Sequence, residues 1–341
     1  MSAVPSPLEG FYAWGMRRRR TANLARRATA ELLCPIISIG NLTAGGTGKT
    51  PAVIWLASYL GDQGRRIAVV SRGHGGTASD QGAIVSRGSG PLLSAAEAGD
   101  EPVLHSRRLS GVSAVIGRDR ALAVHRAVSE CGAEIVVLDD GYQYWSLPRT
   151  VDIVLLDARA PFGNGKLLPV GRLREEPDAL DRANAILLTR ADLATEEQME
   201  DSRRQIAHFS PAPVYTCSHR PLDLLDEATG QITPLSSLAD QRVVLVSALA
   251  ANDSFRTSAE KLGARVLTHV ARRDHYKWSA RDFRRLPAEA DMVVTTEKDA
   301  VKLDPAWFGT PLHSLRIGLD LGQNEMGLRN LIDHALLKNA K

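Results

Sequence analysis

An α/β fold is predicted for this chain of 341 residues, a larger parallel-sheet domain followed by a smaller α/β domain, and three observations carry that prediction. Short β-branched runs alternate with amphipathic stretches of helical period, the pattern that builds a parallel sheet covered by helices. The first such run, Ile36, Ile37 and Ile39 between Pro35 and Gly40, opens onto a glycine-rich turn and then Lys49 and Thr50 at a helix start. The alternation restarts after residue 241, in a chain longer than one hydrophobic core usually serves. Together these features specify a P-loop NTPase parallel sheet at residues 35–217, a turn-rich linker at 218–241 and a smaller α/β domain at 242–341, with a basic and aromatic segment at 1–34 ahead of them.

The turn reads GNLTAGGTGKTP over residues 40–51. Its cradle is Thr43, Ala44, Gly45, Gly46, Thr47, Gly48, Lys49 and Thr50: glycines let successive N–H groups point inward at phosphate oxygens, and the helix that follows adds its positive end. Lys49 is placed to reach the β and γ phosphates, and the Thr50 hydroxyl to ligate magnesium. The generic pattern asks for glycine where Thr43 stands, but the strand before the turn and the run Val53, Ile54, Leu56, Ala57, Leu60 after it supply the required context.

Lysine and arginine number 42 against 39 acidic residues, a net charge of +3, so nucleic acid is not an expected partner. Cys34, Cys131 and Cys217 are scattered with no C-x-x-C, which fits a reducing compartment and suggests neither a disulfide framework nor a zinc knuckle. Residues 1–34 contain no 18-residue apolar run and no signal-peptide pattern. They carry LEGFYAWGMRRRR and then Arg26 and Arg27, so Phe11, Tyr12 and Trp14 interleave with basic residues as in a segment that lies on an anionic membrane surface.

Along the chain, predicted strands deliver polar residues to their carboxyl ends, where open α/β sheets bind ligands. The strand at 67–70 ends in SRGHGG, with Ser71, Arg72 and His74. In AGDEPVL, Asp100 and Glu101 are expected in a turn between Gly99 and Pro102, directed as a catalytic base or a metal-water ligand. A helix beginning near Arg118 is expected to bury Leu122, Val124 and Val128. The strand at 135–138 ends in Asp139 and Asp140, the magnesium-side acids of a nucleotide site. The long loop FGNGKLLPVGRLREE at 162–176 offers Asn164, Lys166, Arg172 and Arg174 to a phosphorylated substrate. TRAD at 189–192 lacks the Asn-Lys pair of a guanine reader. In the second unit, RRDHYKWS at 272–279 presents His275 beside Asp274, a residue type suited to proton exchange near neutral pH, while Glu297 and Lys298 follow a strand and are equally suited to start a helix.

The ordered set GNLTAGGTGKTP, SRGHGG, GDEP, LDDGYQ, DIVLLDA, FGNGKLLPVGRLRE, DHYKWS and VTTEKDAVKL resembles the tetraacyldisaccharide 4'-kinase family, over about residues 8–330. The resemblance implies an ATP- and Mg2+-dependent lipid kinase that phosphorylates the 4'-hydroxyl of a tetraacylated glucosamine disaccharide 1-phosphate at the cytoplasmic face of the bacterial inner membrane. It implies Asp100, His275, Lys49 and Asp140 as catalytic residues and Thr50 and Asp139 as metal ligands, while the basic and aromatic amino-terminal segment points to peripheral attachment and a monomer is expected. Asp100 and His275 look like the family's aspartate-histidine dyad. Two departures are visible: the long apolar amino-terminal helix common in the family is absent or reduced to PLEGFYAWG, and SALAAND at 247–253 replaces the usual turn. Two other classes stand beside this reading, another P-loop small-molecule kinase or GTPase and a non-catalytic nucleotide-dependent membrane switch.

Overall fold

The computed structural model describes residues 6–27, 32–249 and 252–339. Parts of the basic amino-terminal segment, and residues 250–251 of the altered SALAAND stretch, lie outside the described residues. Two sheets organise the rest. The first contains β1 (Ile36–Asn41), β2 (Ile67–Ser71), β3 (Ala83–Arg87), β4 (Ser113–Ile116), β5 (Ile135–Asp139), β6 (Val151–Asp157), β7 (Ala185–Thr189) and β8 (Val214–Thr216). Their order is β3-β4-β2-β5-β1-β6-β7-β8, parallel except for the antiparallel edge strand β3. Strands covered on both faces read as continuous apolar runs, and all six residues of β1 are buried.

The helices are α1 (Pro7–Arg27), α2 (Lys49–Asp62), α3 (Ala95–Ala98), α4 (Asp100–Arg108), α5 (Arg120–Cys131), α6 (Glu196–Ala207), α7 (Asn252–Lys261), α8 (Glu297–Ala300) and α9 (Glu325–Asn339). α2 buries Ala52, Val53, Ile54, Leu56, Ala57 and Leu60, the face its sequence period defined. Each large aliphatic side chain so buried contributes roughly 1.5–3 kcal/mol of transfer free energy. Leu328 and Ile332 of α9 complete this core, and Tyr59 donates to Asp333 at 2.6 Å, so the carboxyl-terminal helix packs on the first sheet's side of the molecule.

The second sheet has the order β10-β9-β14-β13-β11-β12, from β9 (Ser218–Asp226), β10 (Ile232–Thr233), β11 (Arg242–Ala248), β12 (Arg265–Arg272), β13 (Met292–Thr296) and β14 (Leu312–Asp320). The strand-helix-strand pattern predicted here is parallel, β11 against β12 and β13.

Three local expectations are corrected. The stretch at 218–241 is not a turn-rich linker through its length: β9 is a nine-residue strand whose antiparallel partner, β14, lies near the carboxyl terminus, so no local hairpin signal marks it. Asp100 and Glu101 do not sit in a turn; they form the first turn of α4, after Gly99 at φ 91° has swung the chain out of α3. Leu122 is not core, being 70% exposed on the outer face of α5, whereas Val124 is buried.

Candidate active site

Because the central strands of the first sheet are parallel, their carboxyl ends share one edge, and the loops leaving β1, β2, β4 and β5 meet there. A cavity of about 840 Å3 lies at that edge, with residues 45–50 and Asp139 on one side and Asp100, Asp274 and His275 also in its wall.

The phosphate loop is held from beneath by Asn41, whose Nδ2 donates to the Thr43 carbonyl at 2.7 Å and to Thr47 Oγ1 at 2.8 Å. Gly48 at φ 82° caps α2 in the left-handed region, and a Cβ there would stand 2.1 Å from His219 Nε2, so both conformation and space require glycine. Gly40 is required for space alone, because a Cβ would meet the Tyr142 backbone and Cβ. Ala44 N–H donates to the Arg172 carbonyl, and Arg172 Nε to the Ala44 carbonyl, so the loop at 162–176 grips the phosphate loop.

Asp139 and Asp140 are neighbours with different surroundings. Asp139 is 2% exposed, and its Oδ1 has no hydrogen-bond partner among the described residues. Burial, then the nearby Glu101 carboxylate, push its carboxyl well above the usual carboxylate range, against the opposing pull of Lys49. Asp140 adopts φ 53°, a conformation that costs a non-glycine residue about 1 kcal/mol or more. Two hydrogen bonds from Arg174 at 2.8 and 2.9 Å, with Lys49 Nζ at 3.5 Å, hold it. Burial opposes its ionisation, but Lys49 and Arg174 outweigh burial and keep its carboxyl below the usual value.

Across the cavity, His275 Nδ1 lies 3.5 Å from Asp100 Oδ2, so the fold brings together the start of α4 and the loop that follows β12 of the second sheet. His275 is at φ 59°, and its N–H donates to the Asp274 side chain at 2.9 Å. Asp274 is in turn paired with Lys298 at 2.8 Å. Lys298 therefore fixes the His275 loop, and Glu297 meets Arg108 of α4 at 2.5 Å.

Of the four loop residues expected to receive substrate, Arg174 reaches the cavity through Asp140, and Arg172 reaches the phosphate loop. Asn164 and Lys166 are exposed and are not in the cavity wall; Asn164 Oδ1 accepts from the Lys166 N–H and shapes its own turn. The wall also contains Arg72, Arg118, Arg120 and Gln143. Arg120 is 7% exposed, stacks on Tyr144, and has an Nε with no partner among the described residues. Its signal was present in sequence, since Arg118 and Arg120 follow β4 as Asp139 ends β5, but they read as an ordinary helix start. Glu101, read with Asp100, faces the same space.

The family model of tetraacyldisaccharide-1-P 4'-kinase matches residues 1–336. A tetraacyldisaccharide 4'-kinase of Anaeromyxobacter dehalogenans (strain 2CP-C) is 44% identical over 288 residues, 83% of this chain and 76% of that protein. The enzyme of the same name from Syntrophotalea carbinolica is 37% identical over 341 residues, 96% of this chain and 91% of that one. Among solved structures, the "apo" form of LpxK from Aquifex aeolicus in complex with ATP aligns with a TM-score of 0.78 and 30% identity, covering 97% of this chain and 98% of that chain.

Proposed function

The chain belongs to the tetraacyldisaccharide-1-P 4'-kinase family, and we propose that it transfers the γ-phosphate of ATP to the 4'-hydroxyl of a tetraacylated glucosamine disaccharide 1-phosphate. The observation that carries this reading is the meeting, in one cavity, of a phosphate loop with Lys49 and Asp140 and an Asp100–His275 pair from α4 and the loop after β12. Phosphoryl transfer through a loose transition state needs alignment and charge stabilisation more than covalent help. Lys49 and the loop N–H groups hold the donor phosphates. Asp140, fixed by Arg174, keeps Lys49 directed at them. Asp100 orients His275, which takes the proton from the attacking hydroxyl.

The residues fit magnesium. Asp139 offers a buried unpartnered oxygen, and Thr50 and Glu101 add further oxygen donors in the same wall. Among the described residues no group of three or more His, Cys, Asp or Glu forms a metal cage, but magnesium is usually held by one or two carboxylates, water and phosphate oxygens. When bound it offsets charge on the β and γ phosphates.

The lipid reaches this cavity along α1. Tyr12, Met16 and Arg19 line the cavity from that helix, while Phe11 and Trp14 are 74% and 55% exposed beside Arg18, whose guanidinium lies over the Trp14 ring. Among the described residues no helix is long and apolar enough to cross a membrane. The exposed Phe11 and Trp14 beside Arg18 suit α1 to lie on anionic lipid as a surface anchor, the contact a lipid kinase at the cytoplasmic face of the inner membrane would use.

The test is transfer of labelled γ-phosphate to the lipid, with ATP and GTP compared. The expected product carries label at the 4' position, ATP is preferred, and Asp100→Asn and His275→Ala each lower kcat roughly 10²- to 10⁴-fold, with the double variant little worse. A folded protein that binds ATP but labels no lipid refutes the kinase reading and leaves the membrane switch.

A further inference from the structure

The Asp100 carboxylate has a second partner from the other sheet, and that partner has no place in the scheme above. Lys302, just after α8, sets its Nζ 3.3 Å from Asp100 Oδ2, 3.0 Å from Asp299 Oδ1 and 3.4 Å from the Tyr276 carbonyl. Its side chain is only 12% exposed, so all three contacts are made away from bulk water. Asp299 is fully buried and is fixed in turn by Trp278 Nε1 at 3.0 Å, Ala248 N–H at 2.9 Å and Thr296 Oγ1 at 2.8 Å. The nearly buried lysine is thus anchored by its own sheet and reaches across to one oxygen of Asp100, the same oxygen that faces His275.

We propose that Lys302 is the positioning residue for the Asp100–His275 pair, delivered by the second sheet, so that Asp100 is held toward His275 only when the two sheets are docked. A three-donor ammonium suits this task because it can serve Asp299, Asp100 and a carbonyl at once. A buried carboxylate facing only an imidazole has no fixed direction; a second, anchored cation supplies one. Lys302 touches neither phosphate nor sugar, and acts through Asp100. The inference rests on the dyad reading given above.

The experiment is a double-mutant cycle on kcat at saturating ATP and lipid, using the full chain with Lys302→Met, Asp100→Asn and the pair. Lys302→Met is expected to lower kcat about 10- to 100-fold, with nucleotide affinity and lipid KM within about twofold, because the cation adjoins the acid-base pair and not the ligands. In the Asp100→Asn background the same change is expected to cost less than about threefold, since its partner is already neutral. Lys302→Arg is expected to recover part of the loss. Removing the lysine alone leaves Asp299 buried without its cation, so the cycle is repeated with Asp299→Asn present to keep the protein folded. An Asp100→Asn protein with near-normal kcat defeats the dyad reading itself. An impaired Asp100→Asn with Lys302→Met costing the same fold in both backgrounds, or a Lys302→Met defect confined to lipid KM, overturns the positioning role and leaves the dyad standing.

Discussion

At the scale of single residues, phosphate binding and proton transfer place different demands on the order of the chain. Phosphate binding is done by consecutive backbone N–H groups, so glycines, Lys49 and Thr50 must be adjacent in sequence to work. Proton transfer needs only that side chains meet in space, and Asp100 and His275 meet from α4 and the loop after β12 with nothing local to pair them. In sequence only the family resemblance pairs them, and Lys302 and Arg120 carry no local signal because a lysine in a helix-like run and an arginine at a helix start look ordinary. The donor half carries a direct prediction. Lys49 stands at the end of the phosphate loop with its Nζ 3.5 Å from Asp140, so Lys49→Met should remove about 3 kcal/mol or more of transition-state stabilisation, on the scale of losing one preorganised donor. Steady-state kcat with a circular dichroism check of folding decides it, and a folded variant with near-normal turnover would sink the phosphate-loop assignment.

At the scale of elements, β1 and α2 follow their sequence periods closely, because a buried strand and an amphipathic helix each declare their burial locally. α4 does not: its first turn holds Asp100 and Glu101, and its interior holds His105 at 1% exposure with neither ring nitrogen partnered among the described residues. Burial pushes His105 down to about 4 from an ordinary value near 6.5. The folded state binds the proton less readily than the unfolded one, so the stability His105 contributes is fully present above about pH 6.5 and is lost as pH falls toward about 4. The loss across that window is about 3 kcal/mol. Urea unfolding of the parent and of His105→Leu from pH 7.5 to 4 should show a shallower acid decline in the variant; parallel declines would show that His105 finds a partner or water inside. α1 carries a second prediction. Arg17 of the run Arg17 to Arg20 pairs with Glu176, Arg19 lines the cavity and Arg20 is half-buried, which leaves Arg18, its guanidinium over Trp14, as the arginine beside the exposed aromatic pair Phe11 and Trp14. Arg18→Gln should weaken binding to anionic liposomes by about 1 kcal/mol at low salt and by less at high salt, with ATP affinity unchanged. Equal partition at low salt would make α1 a solvated helix.

At the scale of the whole molecule, the two sheets are clamped through α4. Its amino end meets His275 and Lys302, and its carboxyl end meets the second sheet through Arg108 to Glu297 and Arg107 to Glu227 at 3.0 Å. Strand β9, in the stretch expected as a linker, takes part in this clamp, because Glu227 directly follows it and accepts from Ser314 of β14. Arg108 and Glu297 are 12% and 11% exposed, and Glu297 also accepts the Ile317 N–H at 2.9 Å. Removing the arginine strands a nearly buried carboxylate, a change that costs about 3–5 kcal/mol where water cannot enter. Arg108→Met should therefore lower stability toward the small end of that range, since Glu297 keeps one N–H partner. Its functional effect follows from geometry: Gly45, Gly46, Lys49 and Thr50 follow β1 of the first sheet and meet the second sheet at Gly48 through His219, not through Arg108, whereas His275 is carried by the second. Nucleotide affinity, read by titration with a fluorescent ATP analogue, should stay within about twofold, while kcat for lipid phosphorylation falls about tenfold or more as the dyad spends less time assembled. The reciprocal exchange Arg108→Glu with Glu297→Arg should restore part of both stability and turnover, because charge complementarity returns even where the Ile317 contact does not. If Arg108→Met loses stability yet keeps full kcat, the clamp holds the fold together but does not govern the meeting of Asp100 with His275.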